Sequence, residues 1–239
     1  MPDLIVNVDH AAAFRNLAGG RQPDPVSVAV LAEVAGAVGI SARFTEDRRQ
    51  IGDRDIRVLR ETVQGRFSLG VAPTPEMMGL VLDVKPDEVV LVPDRPEEAS
   101  AEGGLDLILD RSEITDTITT IRDSGIPVFL FIDPEPEHVK AAHRLNADGV
   151  QINTGNYAGH ASPATRDRLL ARIVDAAKVA ARLKLRILAG CGLDYQTCRP
   201  LGALVEVEAC IIGHSLMARA LMTGIEAAVR EMVIALERG

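Results

Sequence analysis

Tryptophan is absent from this chain of 239 residues, and phenylalanine and tyrosine bring the aromatic share to only 3%. Because 47% of residues are hydrophobic, the core must be aliphatic, built from Val, Ile, Leu and Ala, which pack closely between helices and a sheet. There is no basic excess either. The formal net charge of −8 argues against general nucleic-acid binding, since nothing is available to neutralise a run of phosphates. A phosphorylated small molecule would have to be held by local donors. Three cysteines, an odd number, with no secretory signal point to a reducing cytosol rather than a disulfide framework. The apolar runs are far shorter than the roughly 20 residues of a membrane span, so no membrane association is expected. No His/Cys/Asp grouping has metal-ligand spacing, so no metal is expected. The first strand–helix turn lacks a G-x-G-x-x-G phosphate turn, which counts against an open dinucleotide-binding sheet.

What the chain does have is a set of short apolar runs that end in polar or glycine-rich clusters. Leu4–His10, Gly149–Gly155, Arg186–Gly192 and Ala209–Ser215 all show this pattern. Such runs read as strands buried on both faces, with the polar tail where strand gives way to loop. Strands are predicted at Leu4–Val8, Gly39–Arg43, Arg66–Val71, Glu88–Val92, Pro127–Ile132, Gly149–Asn153, Arg186–Ala189 and Ala209–Ile212. Helices are predicted at Pro25–Ala35, Asp53–Val63, from Pro75 onward, and at Ser112–Ser124, Glu135–Asn146, Ala164–Leu183 and Leu216–Leu236. Pro93–Gly104 and Thr154–Pro163 read as loops.

Eight strand–helix repeats with right-handed crossovers favour closure, and the length is close to the roughly 250 residues typical of a (β/α)₈ barrel. The fold class predicted is α/β, a TIM barrel with extra helices. With no linker or composition shift, residues 1–239 read as one domain. In such a barrel the active site lies at the C-terminal ends of the strands, and phosphate binds in the loops after strands seven and eight. Those loops hold Gly190–Gly192 and Gly213–Ser215, so an anion site is expected from backbone N–H groups near Gly192, Gly213 and His214.

The order and spacing of further motifs resemble a known family. N-V-D-H (Asn7–His10) with a following R-N and P-D-P opens the match. E-D-R-R-x-I-x-D-R-D (Glu46–Asp55), L-V-P (Leu91–Pro93), E-G-G-L-D (Glu102–Asp106) and F-I-D (Phe131–Asp133) continue it. T-G-x-Y-A (Thr154–Ala158), A-G-x-G-L (Ala189–Leu193) and I-I-G-H…M-T-G (Ile211–Gly224) complete it from end to end. Together these motifs resemble the pyridoxine 5′-phosphate synthases of vitamin B6 synthesis. The resemblance implies a barrel enzyme, an oligomer built from dimers, and no metal or organic cofactor. It implies condensation of 1-deoxyxylulose 5-phosphate with 3-amino-2-oxopropyl phosphate, with ring closure and release of water and phosphate. That chemistry needs repeated proton transfer and donors for two phosphates.

The chain departs from its relatives at the chemistry. Where the resemblance implies His at the end of strand two and Glu at the end of strand three, this chain has Arg43 and Gly70. The His of the turn after strand seven is Cys191, and the strand-six Glu and His are Gln151 and Asn153. Implied substrate-binding positions are altered at Ala18, Thr45, Gln50 and Ser100. Asn7, Asp9, His10, Gly192, Gly213 and His214 persist. Arg43 stays protonated, so it can grip an anion but cannot shuttle a proton. Gly70 removes a carboxylate, and Gln151 and Asn153 keep hydrogen-bonding shape without titrating.

The candidate catalytic set is thus Asp9, His10, Arg43 and Cys191, and the candidate substrate set is Asn7, Asp9, His10, Ser100, Gly192, Gly213 and His214. Cys191 has two readings: a thiolate, if nearby donors lower its pKa, or a small residue filling a space. Cys198 and Cys210 read as structural thiols, and Glu46–Arg49 as a loop ion-pair network. His138 and His143 read as solvated, and His160 as a loop residue. Two functional classes remain open: a synthase-type enzyme with the family reaction or a changed one, and a binder that holds a phosphorylated metabolite without turnover.

Overall fold

A computed structural model describes residues 1–93, 103–107, 111–159 and 162–239, so Ser100, Glu102 and His160 lie outside the described residues. The chain begins β1 (Asp3–Asn7), α1 (Asp9–Leu17), α2 (Pro25–Val34), β2 (Gly39–Arg43), α3 (Asp53–Thr62), β3 (Arg66–Val71) and α4 (Pro75–Val84). It continues β4 (Glu88–Leu91), α5 (Arg111–Asp123), β5 (Val128–Ile132), α6 (Pro136–Arg144), β6 (Gly149–Asn153) and α7 (Gly155–Gly159). It ends α8 (Pro163–Arg182), β7 (Arg186–Gly190), α9 (Arg199–Gly202), β8 (Ala209–Ile212), α10 (His214–Thr223) and α11 (Ile225–Glu237). The strands pair in parallel in sequence order, and β8 closes on β1 with Leu4 opposite Cys210. The fold is a (β/α)₈ barrel.

Proline and side-chain caps start several helices where the sequence places them. Asp24 accepts from the Val26 N–H at 3.0 Å ahead of Pro25, and Thr74 caps α4 ahead of Pro75. Each strand alternates between two cores. In β3, Phe67, Leu69 and Val71 face the helices, while Arg66, Ser68 and Gly70 face the barrel axis. The axis is filled by Ile5, Val90, Val92, Phe129, Phe131, Leu188, Ala209 and Ile211. Gly149 makes this packing possible: a Cβ there would lie 2.3 Å from Phe129 Cε1.

A charged layer closes the N-terminal end of the barrel. Arg186 Nη2 reaches Glu208 at 2.6 Å and Glu88 at 3.4 Å, and Arg66 pairs with both carboxylates. The Arg186 guanidinium also lies 4.8 Å from the Phe129 ring centroid. Burial holds the Glu88 carboxyl above its ordinary pKa despite the two arginines.

Predicted strands and observed ones differ by a residue or so at their ends. Three helical features differ more. Asp9–Leu17 is a helix rather than a strand tail and loop, because A-A-A-F-R-N-L favours helix as soon as the strand stops. Within the predicted loop Thr154–Pro163, Asn153 Oδ1 accepts from the Gly155 N–H at 2.9 Å and starts the short helix α7. The predicted closing helix Leu216–Leu236 is two helices, divided at Gly224 with φ +82°.

Candidate functional site at the C-terminal mouth of the barrel

The C-terminal ends of the strands surround a cavity of about 830 Å³, lined by Asn7, Asp9, His10, Arg43, Gly70, Gln151, Asn153, Cys191, Gly192, Gly213 and His214 among others. Nearly every site residue read from the sequence meets there, the exception being Ser100, which is outside the described residues.

Asp9 is the most constrained of them. It opens α1 and is only 7% exposed. Asn7 Nδ2 donates to Asp9 Oδ2 at 2.8 Å, and the Arg43 N–H donates to Asp9 Oδ1 at 2.8 Å. These donors and the Arg43 charge favour the carboxylate, yet burial outweighs them and pushes the Asp9 pKa up to about 6. Asp9 is therefore a group that gains and loses a proton near neutrality.

His10 comes next on the same turn. Its ring meets that of His214 at 5.1 Å between centroids and 65° between planes. Burial first, then the neighbouring His214, lowers its pKa and favours the neutral imidazole. His10 Nδ1 is buried with no hydrogen-bond partner among the described residues.

On the adjacent strand Arg43 ends β2, and its Nη2 donates to the Pro93 carbonyl just beyond β4 at 2.9 Å. Gly70 lies between them at the end of β3. A Cβ there would sit at ordinary contact, 3.7 Å from Arg43 Cα and Cβ, so packing does not demand glycine at this position. Asn153 is locked, donating to Asp133 Oδ1 at 3.0 Å and accepting from Gly155.

Cys191 is half-buried and has φ +88°, a region glycine favours. Burial pushes its thiol above the ordinary pKa, more than the Arg43 charge draws it down. This direction favours the neutral thiol over the thiolate. Gly192 is next, with φ +73°. Gly213 caps α10 beneath Asn7, where a Cβ would fall 2.8 Å from Asn7 Oδ1. α10 starts at His214 directly after Gly213, and the first N–H groups of a helix are donors available to an anion.

Sequence reasoning did not find Ser41, Val90, Val92, Phe131 or Ile211 as lining residues. They are the inward positions of strands already located, so the period-two alternation held that signal. Outside the mouth, Glu46–Arg49 forms the expected ion-pair network: Arg49 pairs with Asp47 at 2.8 Å, and Arg48 with Glu76 and Asp53. Cys198 and Cys210 are buried, and burial raises both thiols. His143 is exposed as expected, but His138 is half-buried, because it lines a second cavity of about 200 Å³ with Leu169 and Arg172 of α8. Among the described residues, no three His, Cys, Asp or Glu side chains are grouped to hold a metal ion.

The family model described as "Pyridoxal phosphate biosynthesis protein PdxJ" matches residues 4–238. A pyridoxine 5′-phosphate synthase of Geobacter sulfurreducens is 46% identical over 233 residues, covering 98% of each chain. One from Desulforapulum autotrophicum is 45% identical, again covering 98% of each chain. Among solved structures, tryptophan synthase from M. tuberculosis superimposes with a TM-score of 0.65 at 10% identity, covering 99% of this chain and 94% of that one. Phosphoribosyl anthranilate isomerase from Thermus thermophilus gives 0.62 at 14% identity, covering 98% of each chain. At such identities these structures speak for the barrel alone. Matched along almost its whole length, this chain belongs to the PdxJ family of pyridoxal phosphate biosynthesis proteins.

Proposed function

We propose that this chain acts in the cytoplasm as a synthase-like member of its family, one unit over residues 1–239, that holds a phosphorylated small molecule at the barrel mouth and performs the family reaction slowly or in altered form. One observation carries this reading. The strand-end positions facing the cavity on β2, β3, β6 and β7 are Arg43, Gly70, Gln151, Asn153 and Cys191. A guanidinium, a hydrogen atom, two amides and a buried thiol do not cycle protons near neutrality. One positioned acid–base group contributes about 10²–10⁴-fold in rate, so losing several leaves a demanding condensation poorly served.

The groups left for proton transfer are Asp9, with its pKa of about 6, and His10, whose burial favours the neutral imidazole. Asn7 and the Arg43 N–H orient the Asp9 carboxyl, so it presents one geometry to a bound ligand. The phosphate would rest on backbone amides at Gly192, Gly213 and the start of α10, with His214 beside them.

The retained donors, set against the missing proton carriers, also favour a second reading: a paralogue that binds the phosphorylated metabolite without turning it over. Complementation of a pyridoxine auxotroph, paired with a direct assay of pyridoxine 5′-phosphate formation, separates the two. Assembly from dimers fits the exposed apolar side chains Phe14 and Leu17 on α1 and Leu221 and Met222 on α10, and light scattering on the purified protein measures it. Among the described residues no helix is long and apolar enough to cross a membrane.

A further inference from the structure

The proposed phosphate site depends on the backbone at Gly192, and what holds that backbone rests on the same reading. Cys191 and Gly192 turn through φ +88° and φ +73°, a region that disfavours a side chain such as cysteine's. A turn of this kind persists only where its surroundings over-determine it. Here the surroundings are the end of β6 and the short helix α7. The Thr154 hydroxyl donates to the Cys191 carbonyl at 2.6 Å, and the Thr154 N–H donates to the Gly190 carbonyl at 2.9 Å. Helix α7 then closes tightly on the turn. A Cβ at Gly192 would lie 3.1 Å from Ala158 Cβ, and one at Gly155 would lie 3.1 Å from Cys191 Sγ.

Asn153 starts α7 at that spot, and Asp133 aims Asn153. The Asn153 Nδ2 donates to Asp133 Oδ1 at 3.0 Å, while its Oδ1 accepts from the Gly155 N–H at 2.9 Å. These two partners leave the amide one orientation, because a flip would set its oxygen against the carboxylate and its NH₂ against an N–H. Asn153 is only 5% exposed, so water is a poor substitute for either partner. Asp133 itself follows β5, across from the end of β6 where Ile132 pairs with Ile152. It lines the smaller cavity with His138 and Arg172, and not the mouth. Its carboxylate reaches the mouth only through Asn153.

We propose that Asp133 is a positioning residue for the phosphate site: by orienting Asn153 it sets α7 against the Cys191–Gly192 turn and so holds the Gly192 backbone in place for the ligand. The requirement is one hydrogen bond between the side chains at positions 133 and 153, whichever of them donates.

Two readouts on the full chain test this, and one of them needs no ligand. Iodoacetamide labelling in mildly alkaline solution, followed by mass spectrometry, reports how well α7 covers Cys191. Calorimetric titration with glycerol 3-phosphate reports on the phosphate site. Asp133→Ala and Asn153→Asp each remove the bond, the second by setting two carboxylates face to face. Each should speed labelling of Cys191 about fivefold or more and weaken glycerol 3-phosphate binding about tenfold, with the buried Cys198 and Cys210 labelled no faster. Asp133→Asn combined with Asn153→Asp restores the bond in the opposite sense, and both readouts should return to within about threefold of the wild type. A bond that served stability alone would expose all three cysteines together. Should Asp133→Ala fail to fold in circular dichroism melts, Asn153→Asp and the exchanged pair carry the same comparison. Unchanged labelling of Cys191 in the folded single variants, faster labelling of all three cysteines, or no recovery in the exchanged pair overturns the proposal. Failure of the wild type to bind glycerol 3-phosphate would defeat the phosphate site alone, because the labelling series still decides whether Asp133 sets the turn.

Discussion

The backbone N–H of Arg43 donates to Asp9 Oδ1 at 2.8 Å, so the last residue of β2 fixes the carboxyl that opens α1. Two strand ends are thereby joined through a group that titrates near neutrality. Its pH behaviour is the first consequence. The folded pKa of Asp9, about 6, lies above the ordinary 3.8, so between those values the folded protein binds more proton than the unfolded chain. Stability contributed by Asp9 is complete below about pH 4 and is lost as pH rises through 6, by up to about 3 kcal/mol for a shift of this size. Urea denaturation of the wild type against Asp9→Asn from pH 4 to pH 7 measures it. The wild type should lose stability relative to the variant over that range, and parallel curves would contradict the account.

Gly213→Ala tests the close approach beneath Asn7. The new Cβ would fall 2.8 Å from Asn7 Oδ1 and 3.1 Å from the Asn7 carbonyl, so Asn7 must move. A cost of about 1–3 kcal/mol is expected from such overpacking. Loss of phosphate affinity should accompany it, since the same displacement disturbs Asn7 and the start of α10. Thermal melts and phosphate titration read the two effects separately.

Cys191 should behave as a buried thiol. Burial outweighs the nearby guanidinium and raises its pKa, so alkylation by iodoacetamide at pH 7 is expected to be slower than for a free cysteine and to accelerate only in alkaline solution. Mass spectrometry of the modified chain tracks it site by site. Rapid labelling of Cys191 at pH 7 would restore the thiolate reading.

The charged floor predicts a different pattern. Glu88 has a side chain only 1% exposed and faces Arg66 at 3.7 Å and Arg186 at 3.4 Å. Glu88→Ala leaves both guanidinium groups with less compensation, and a loss of about 3–5 kcal/mol is expected. Phosphate binding should be unaffected, because the floor and the mouth are at opposite ends of the barrel. Chemical denaturation beside a binding titration distinguishes this from a general loss of structure.

Much of the architecture is legible in the sequence because a two-sided buried strand leaves a plain mark. V-F-L-F-I between Pro127 and Asp133 has few alternatives, and the same holds for A-C-I-I before Gly213. Asp9–Leu17 is not legible as a helix because its first residues, Asp9 and His10, equally suit the polar tail of a strand. The break at Gly224 is hidden by strong helix formers on both sides. At the mouth, residue types are readable but their environments are not. Nothing local tells Asp9 that it will be buried under the Arg43 N–H, or Arg43 that its partner is the Pro93 carbonyl fifty residues away. Such contacts depend on barrel closure, which brings distant strand ends together only after the whole sheet has formed.

The most direct measurement is the rate of pyridoxine 5′-phosphate formation by the purified protein, before and after restoring the proton carriers that the family resemblance implies. Gly70 leaves ordinary contact distance for a new side chain, so Arg43→His, Gly70→Glu and Cys191→His can be combined in one chain. Little or no product is expected from the unmodified protein. A clear gain is expected in the triple variant that no single substitution approaches, since groups that act as a unit are strongly non-additive. An unmodified protein that forms pyridoxine 5′-phosphate as fast as the related synthases would contradict the account.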